Sequence, residues 1–374
     1  MRVRGLVAAA LICALTACSD SPPAPDPTAP TAPRAAWPTT GWPTAAPRTQ
    51  GVDPAALARF DQQVGDVFTE VRSVLVVRHG YVVHERYWHG LTAASGHDVR
   101  SVTKSFVATL VGIALGEGKI KSLDQTVGEL LAAPRSALAG VTVRHLLTMT
   151  AGLAGDPAGE DDLWASPDWV RQILGRRLIA EPGVRFQYSS ASSHLLAAIV
   201  ARATGRTVLD YAREKLFTPL GIDTTTMYEP RMGGAFDPDV DPAYTKASVA
   251  WPVDPQGIHC GGGFLRLPTR ELAKLGYLYL NGGRWEGRQV VPAAFVDAAT
   301  RPTGLPPDVL TGYGLHWWID DDGAGQRSFT AVGYGGQYIA VVPERDLVVV
   351  VTNNPEGPPD PGSLLSGTIL PGVT

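Results

Sequence analysis

The tetrapeptide Ser101-Val102-Thr103-Lys104 opens a run to Leu115 in which no residue after the lysine carries a charge. A helix that is apolar all round belongs inside a core. A lysine at the mouth of such a helix is unusual, because Lys is almost never fully buried unless it is paired. Residues three apart share one helix face, which brings the Ser101 hydroxyl beside the Lys104 amine. This couples a weak nucleophile to a base that can activate it. To act so, the amine must be neutral part of the time, through burial or a neighbouring positive charge. The helix N-terminus adds a positive dipole end that favours developing negative charge at Ser101. Taken alone, Ser-x-x-Lys also fits a helix cap followed by a solvated lysine, but this is the only such pattern in the chain.

The N-terminus is read separately. Met1-Arg2-Val3-Arg4 is a short basic start, and the apolar run from Leu6 to Ala17 is too short for a bilayer span. Residues 1–17 read as a secretory signal peptide. The ending Leu15-Thr16-Ala17-Cys18 resembles the lipobox of bacterial lipoproteins. That resemblance implies cleavage before Cys18, lipid on its thiol, and a membrane-anchored protein at the cell surface or in the periplasm. An ordinary signal peptide ending near a cysteine is the other reading. Residues 18–50 are rich in Pro, Ala and Thr and read as an extended tether. Residues 51–374 form the expected folded domain, long enough to bury a large core.

A net charge of -4 with 18% charged residues leaves no electrostatic footprint for nucleic acid. Of three cysteines, Cys13 leaves with the leader and Cys18 is the lipidation candidate. Only Cys260 remains, so the mature chain has no intramolecular disulfide. Its neighbours Gly261-Gly262-Gly263 suggest a tight loop, and no catalytic role is expected for it. Oligomeric state is not legible.

Periodicity predicts a helix over Asp53–Val67 with Asp53 as N-cap. Residues 73–84 read as a β-hairpin turning at His79-Gly80. The middle, from Val143 to Phe217, reads as helix and loop, with Gly205 a stop. A helix is expected over Arg270–Leu280, and strands over Tyr338–Val342 and Leu347–Thr352. Strands at both ends with helices between suggest a discontinuous α/β domain carrying a helical lobe.

A second group must pass the proton to a leaving group. Two tyrosines are candidates, in Tyr188-Ser189-Ser190 and Tyr279-Leu280-Asn281. Tyr279 shares a helix face with Leu272 and Leu275 and reads as core. Tyr188 sits in a turn-rich approach to a helix, where functional residues concentrate, and is preferred. His84-Glu85-Arg86-Tyr87-Trp88-His89 has one residue too many for the zinc-protease motif and has strand-like flanks. No metal or cofactor is expected. A Gly-x-Ser-x-Gly elbow is lacking, which argues against an α/β-hydrolase. His145 and His194 read as supporting residues, and Trp164, Trp169, Trp317 and Trp318 as core or pocket wall.

The Ser101 and Tyr188 motifs, the segment Val141–Leu153, Gly261-Gly262-Gly263-Phe264-Leu265 and the stretch Tyr338–Asn353 together resemble the serine β-lactamase and penicillin-binding-protein-like superfamily. The likeness is to its class C, esterase and 6-aminohexanoate-dimer hydrolase branch, and spans roughly residues 74–354. It implies a β-lactamase/transpeptidase-like fold, an antiparallel sheet flanked by helices with an inserted mostly helical lobe. It further implies Ser101 as acylated nucleophile, with Lys104 and Tyr188 as proton-transfer groups. Ser190 and Gly333 would contact substrate, and the N–H groups of Ser101 and Tyr334 would form the oxyanion hole. The family's Lys-Thr-Gly or His-x-Gly motif maps onto Ala331-Val332-Gly333, where Ala331 replaces the basic or His residue. This favours a carboxylesterase or amidohydrolase over a cell-wall D-peptidase or β-lactamase. A non-catalytic envelope binding or sensor protein is the reading from another class.

Overall fold

The computed structural model describes residues 36–155, 161–233, 237–304, 312–321, 327–355 and 360–374. The signal peptide expected over residues 1–17, and Cys18, lie outside the described residues. β1 (Val71–Arg78) and β2 (Tyr81–Tyr87) form the expected hairpin. Its two-residue turn, His79-Gly80, has φ of +50° and +81°, the left-handed pair that matches strand twist. β3 (Gly96–Asp98) pairs with β4 (Arg266–Pro268), and β5 (Arg284–Trp285) with β6 (Arg288–Gln289). The remaining strands are β7 (Gly312–Tyr313), β8 (Trp318–Asp321), β9 (Arg327–Gly333), β10 (Gln337–Val342) and β11 (Leu347–Asn353). They join the hairpin in a seven-stranded sheet of order β2-β1-β11-β10-β9-β8-β7. Every neighbouring pair in it is antiparallel. The two ends of the chain therefore meet at β1 and β11, and the lobe is the chain between β3 and β4.

Alternate residues send their side chains to opposite faces, and both faces are covered. Val74, Val76, Val349 and Val351 meet Leu57, Phe60 and Val64 of the Pro54–Asp66 helix. That helix begins as read: the Asp53 carboxylate accepts from the Ala55 N–H at 2.9 Å, with Pro54 in the first turn. Leu75, Val77, Ile339 and Val348 line the other face. There the Thr269–Leu280 helix lies close, because a Cβ on Gly276 would stand 2.7 Å from Val348 and 2.9 Å from Ile339. The Thr103–Gly116 helix is buried from Thr103 to Ala114 and packs against the Ser190–Thr204 helix of the lobe. Gly205, at φ +70°, ends the latter. Among the described residues no helix is long and apolar enough to cross a membrane.

The tether expected over residues 18–50 is too long. Trp37 packs tilted on Trp285 and edge-on to Tyr277, at 5.2 and 5.5 Å between ring centroids. Trp42 is buried, and its indole N–H donates to the Arg270 carbonyl at 2.9 Å. Backbone bonds link Ala45 and Pro43 to Val82 and cover the β2 edge, a position that proteins commonly protect. A composition-based reading averages such a segment over its prolines and misses two anchoring tryptophans. Replacing a buried Trp by Ala costs about 3–5 kcal/mol. In urea denaturation, Trp42→Ala should lose roughly the lower figure, and a chain begun at Gly51 should lose more than one begun at Ala36. Equal midpoints would mean that this segment carries no stability.

Candidate active site

Lys104 is 1% exposed and reaches three oxygens. Its Nζ donates to Ser101 Oγ at 2.8 Å, to Ser190 Oγ at 3.1 Å and to the Gly262 carbonyl at 2.6 Å. An ammonium has three donors, so all are used, each by a different segment. Among the described residues it makes no ion pair. Ser101 lies in the 3₁₀ turn Arg100–Val102, one step before the α-helix expected to begin there. Arg100 holds φ +46°, uncommon for a residue with a Cβ. The Thr103 hydroxyl fastens this turn, donating to the Arg100 carbonyl at 2.7 Å and accepting from the Leu265 N–H at 3.1 Å.

The glycine loop supplies the third oxygen through close approach. A Cβ on Gly261 would stand 2.3 Å from the Ser193 carbonyl oxygen, and one on Gly262 would stand 2.9 Å from Ser190 Cβ. Behind the loop, His194 Nδ1 accepts from the Gly261 N–H at 3.4 Å, while Nε2 faces Asp254 Oδ2 at 3.1 Å. These two partners select the Nε2–H tautomer. Asp254 is itself fixed by the N–H groups of Gln256 and Ile258, each at 2.8 Å. His194 thus supports the loop that holds Lys104, a role consistent with its reading as a supporting residue.

Tyr188 is brought to the same point. Its ring lies over Lys104 Nζ at 4.8 Å from the centroid, within cation–π range. Trp318 stacks on it at 5.8 Å. Among the described residues the Tyr188 hydroxyl has no hydrogen-bond partner. The Val141–Leu153 segment holds the Tyr188 loop: the Gln187 N–H donates to the Met149 carbonyl at 2.7 Å and the Gly183 N–H to that of Thr150 at 2.8 Å. Met149 has φ +58°. Tyr279 is core as read, bonded to Thr109 at 3.0 Å and packed on Trp317.

At the end of β9, a Cβ on Gly333 would sit 2.3 Å from the Val99 carbonyl oxygen. This contact lays the Gly333-Tyr334-Gly335 turn against the strand leading to Ser101. Asn353 Nδ2 donates to the Gly335 carbonyl at 2.7 Å and fixes the turn. The Tyr334 side chain is 67% exposed, so only its backbone faces inward contacts. Among the described residues neither the Ser101 nor the Tyr334 N–H makes a hydrogen bond. Ala331 is buried in the apolar core and brings no charge to this edge.

Other candidates lie elsewhere. Burial pushes the Cys260 thiol up to about 12, which keeps it protonated and unreactive. His84 pairs with Asp61 at 2.9 Å on β2, and His145 closes a capping box with Thr142. Trp169 and Trp317 are core. Trp164 bridges Trp169 and Phe264. Among the described residues no three His, Cys, Asp or Glu side chains converge as metal ligands. Sequence reasoning missed the Gly262 carbonyl, the His194–Asp254 pair and Ser190 as a partner of Lys104. Only Ser190, within the quoted Tyr188 motif, carried a sequence signal. Gly261→Ala should destabilise the fold by about 1–3 kcal/mol through overpacking against helix backbone, read by urea denaturation; no change would mean that the loop yields freely.

A partly exposed serine on a buried lysine, beside an open tyrosine and two unengaged N–H groups, suits proton transfer to and from a reacting serine. A Beta-lactamase family profile matches residues 60–369. The 6-aminohexanoate-dimer hydrolase of Paenarthrobacter ureafaciens is 26% identical over 321 residues, which are 79% of this chain and 74% of that protein. Penicillin-binding protein 4 of Amycolatopsis lactamdurans is 27% identical over 298 residues, 73% of this chain and 76% of that one. The solved class C β-lactamase of Rhodobacter sphaeroides superposes with a TM-score of 0.63 at 20% identity, covering 85% of this chain and 99% of that structure. The likeness thus reaches over most of the folded body, and the chain belongs to the Beta-lactamase family.

Proposed function

We propose that the protein is a serine hydrolase that cleaves an ester or amide through an acyl-enzyme on Ser101. The observation that carries this reading is the 2.8 Å contact between the buried Lys104 Nζ and the partly exposed Ser101 Oγ. In its neutral form the amine takes the hydroxyl proton as Oγ attacks the substrate carbonyl carbon. The carbonyl oxygen then carries the negative charge, and the N–H groups of Ser101 and Tyr334 receive it. Tyr188, whose ring lies over the same amine, donates the proton of its hydroxyl to the departing alcohol or amine. Lys104 returns the proton to Tyr188. Water then attacks the acyl-enzyme along the reverse route, giving the acid and free Ser101.

The choice of ester or amide over a β-lactam rests on Ala331. Enzymes that grip a β-lactam carboxylate need a cation or other polar group at this strand edge, and here a methyl faces the core. The open Tyr188 hydroxyl and the intact Ser101–Lys104 pair speak against a binding protein without turnover.

Steady-state hydrolysis of short p-nitrophenyl esters and anilides tests the reading. Ser101→Ala should lower kcat/KM by at least about 1,000-fold with an unchanged melting temperature. Lys104→Ala and Tyr188→Phe should each lower kcat by roughly 100- to 10,000-fold. Near wild-type turnover in Ser101→Ala would remove Ser101 from the reaction.

A further inference from the structure

The register between β1 and β11 slips at one residue. Val71 pairs with Asn353 and Ser73 with Thr352, so Arg72 is the extra residue of a β-bulge. A bulge leaves its extra residue out of the ladder and re-aims the side chain. Arg72 is turned into a cavity of about 490 Å³, also bounded by Glu70, Arg100, Asp239, Arg266 and Asn354. That volume is in the range of small-molecule sites, about 300–1,000 Å³.

Arg72, Arg100 and Arg266 face Glu70, Asp98 and Asp239 in this cavity, but they are unevenly paired. Arg100 takes both aspartates, lying 3.5 Å from Asp98 and bonded to Asp239. Glu70 accepts from Asn354 Nδ2 at 2.9 Å. Arg266, 5% exposed, spends its guanidinium on the carbonyls of Ala247, Gly96 and Thr245 at 3.2, 2.7 and 2.9 Å. Among the described residues, Arg72 makes no hydrogen bond or ion pair through its guanidinium. Two guanidiniums therefore line the cavity without a carboxylate on either. Burial, then the nearby Arg266 charge, push the Arg72 guanidinium below its usual range. The Glu70 carboxylate, then that of Asp98, act on Arg72 in the opposite sense, without forming an ion pair with it among the described residues. The Arg72 nitrogens are open to solvent within the cavity rather than sealed in the core, so an anion there would take the place of water as their partner.

We propose that this cavity binds the carboxylate group of a small organic acid, held bidentately by the Arg72 guanidinium with Arg266 behind it. The planar fork of arginine matches a carboxylate in this way. The site adjoins the chemistry without being part of it. Arg100, in its wall, precedes Ser101, and Pro355, in the same wall, lies where a Cβ on Gly335 would be 2.3 Å from the Pro355 Cα. An acid bound there would lie against Arg100, next to Ser101, and against Pro355, which packs on Gly335 next to Tyr334.

Calorimetric titration of the full chain carrying Ser101→Ala tests the proposal, since binding is then read without turnover and stands apart from the hydrolase reading. The probes are butyrate and inorganic phosphate at constant ionic strength. Butyrate should bind saturably, and Arg72→Gln should weaken it at least tenfold with an unchanged melting temperature. Arg72→Lys, which keeps the charge and loses the fork, should fall between the two. Absence of saturable butyrate binding, binding of phosphate alone, or equal affinity in Arg72→Gln would each overturn the proposal.

Discussion

The buried amine of Lys104 organises this structure. An ammonium or amine withdrawn from water must recover its hydrogen bonds inside the protein. Here it does so on oxygens of three segments far apart in sequence: Ser101, Ser190 and Gly262. Each oxygen imposes a condition. The Ser101 turn must precede a helix buried in the core, the Ser190 helix must begin beside it, and a loop without side chains must pass between. Gly261 and Gly262 meet the last condition, because even a methyl group there would strike the Ser190–Thr204 helix.

Backbone strain collects around the same point. Arg100, Met149, Phe264 and His316 are all non-glycine residues with φ between +46° and +71°. Each lies in a segment that touches the site. Arg100 starts the serine turn, Met149 holds the Tyr188 loop, and Phe264 follows the glycine loop. His316 N–H donates to the Leu147 carbonyl and its own carbonyl accepts from Ser105. Such conformations cost about 1–3 kcal/mol each and persist where surrounding packing over-determines them. The two covered faces of the sheet provide that packing, and the helical lobe closes over it.

Legibility in the sequence followed the range of the interaction. The hairpin at His79-Gly80, the Asp53 cap and the buried Thr103–Gly116 helix were readable because each depends on neighbours within a few residues. Ser101 and Lys104 were readable for the same reason, being one helical turn apart. Tyr188 is distinguishable from Tyr279 on local grounds, since a turn-rich loop differs from an amphipathic helix. The Gly262 carbonyl, the His194–Asp254 pair and the Arg72 bulge were not readable. They arise from contacts across 60 to 282 positions, and a carbonyl or a register slip carries no residue-type signal. The end of the tether is not readable because proline content dominates a segment in which Trp37 and Trp42 provide the anchoring contacts.

The central claim is that Ser101 is activated by Lys104. Mass spectrometry of the chain from Ala36 after reaction with a fluorophosphonate, followed by peptide mapping, tests it most directly. If Lys104 activates Ser101, one adduct forms, on Ser101, and it disappears in Lys104→Ala protein of unchanged fold. No adduct on a folded protein, or an adduct on another residue, would contradict it.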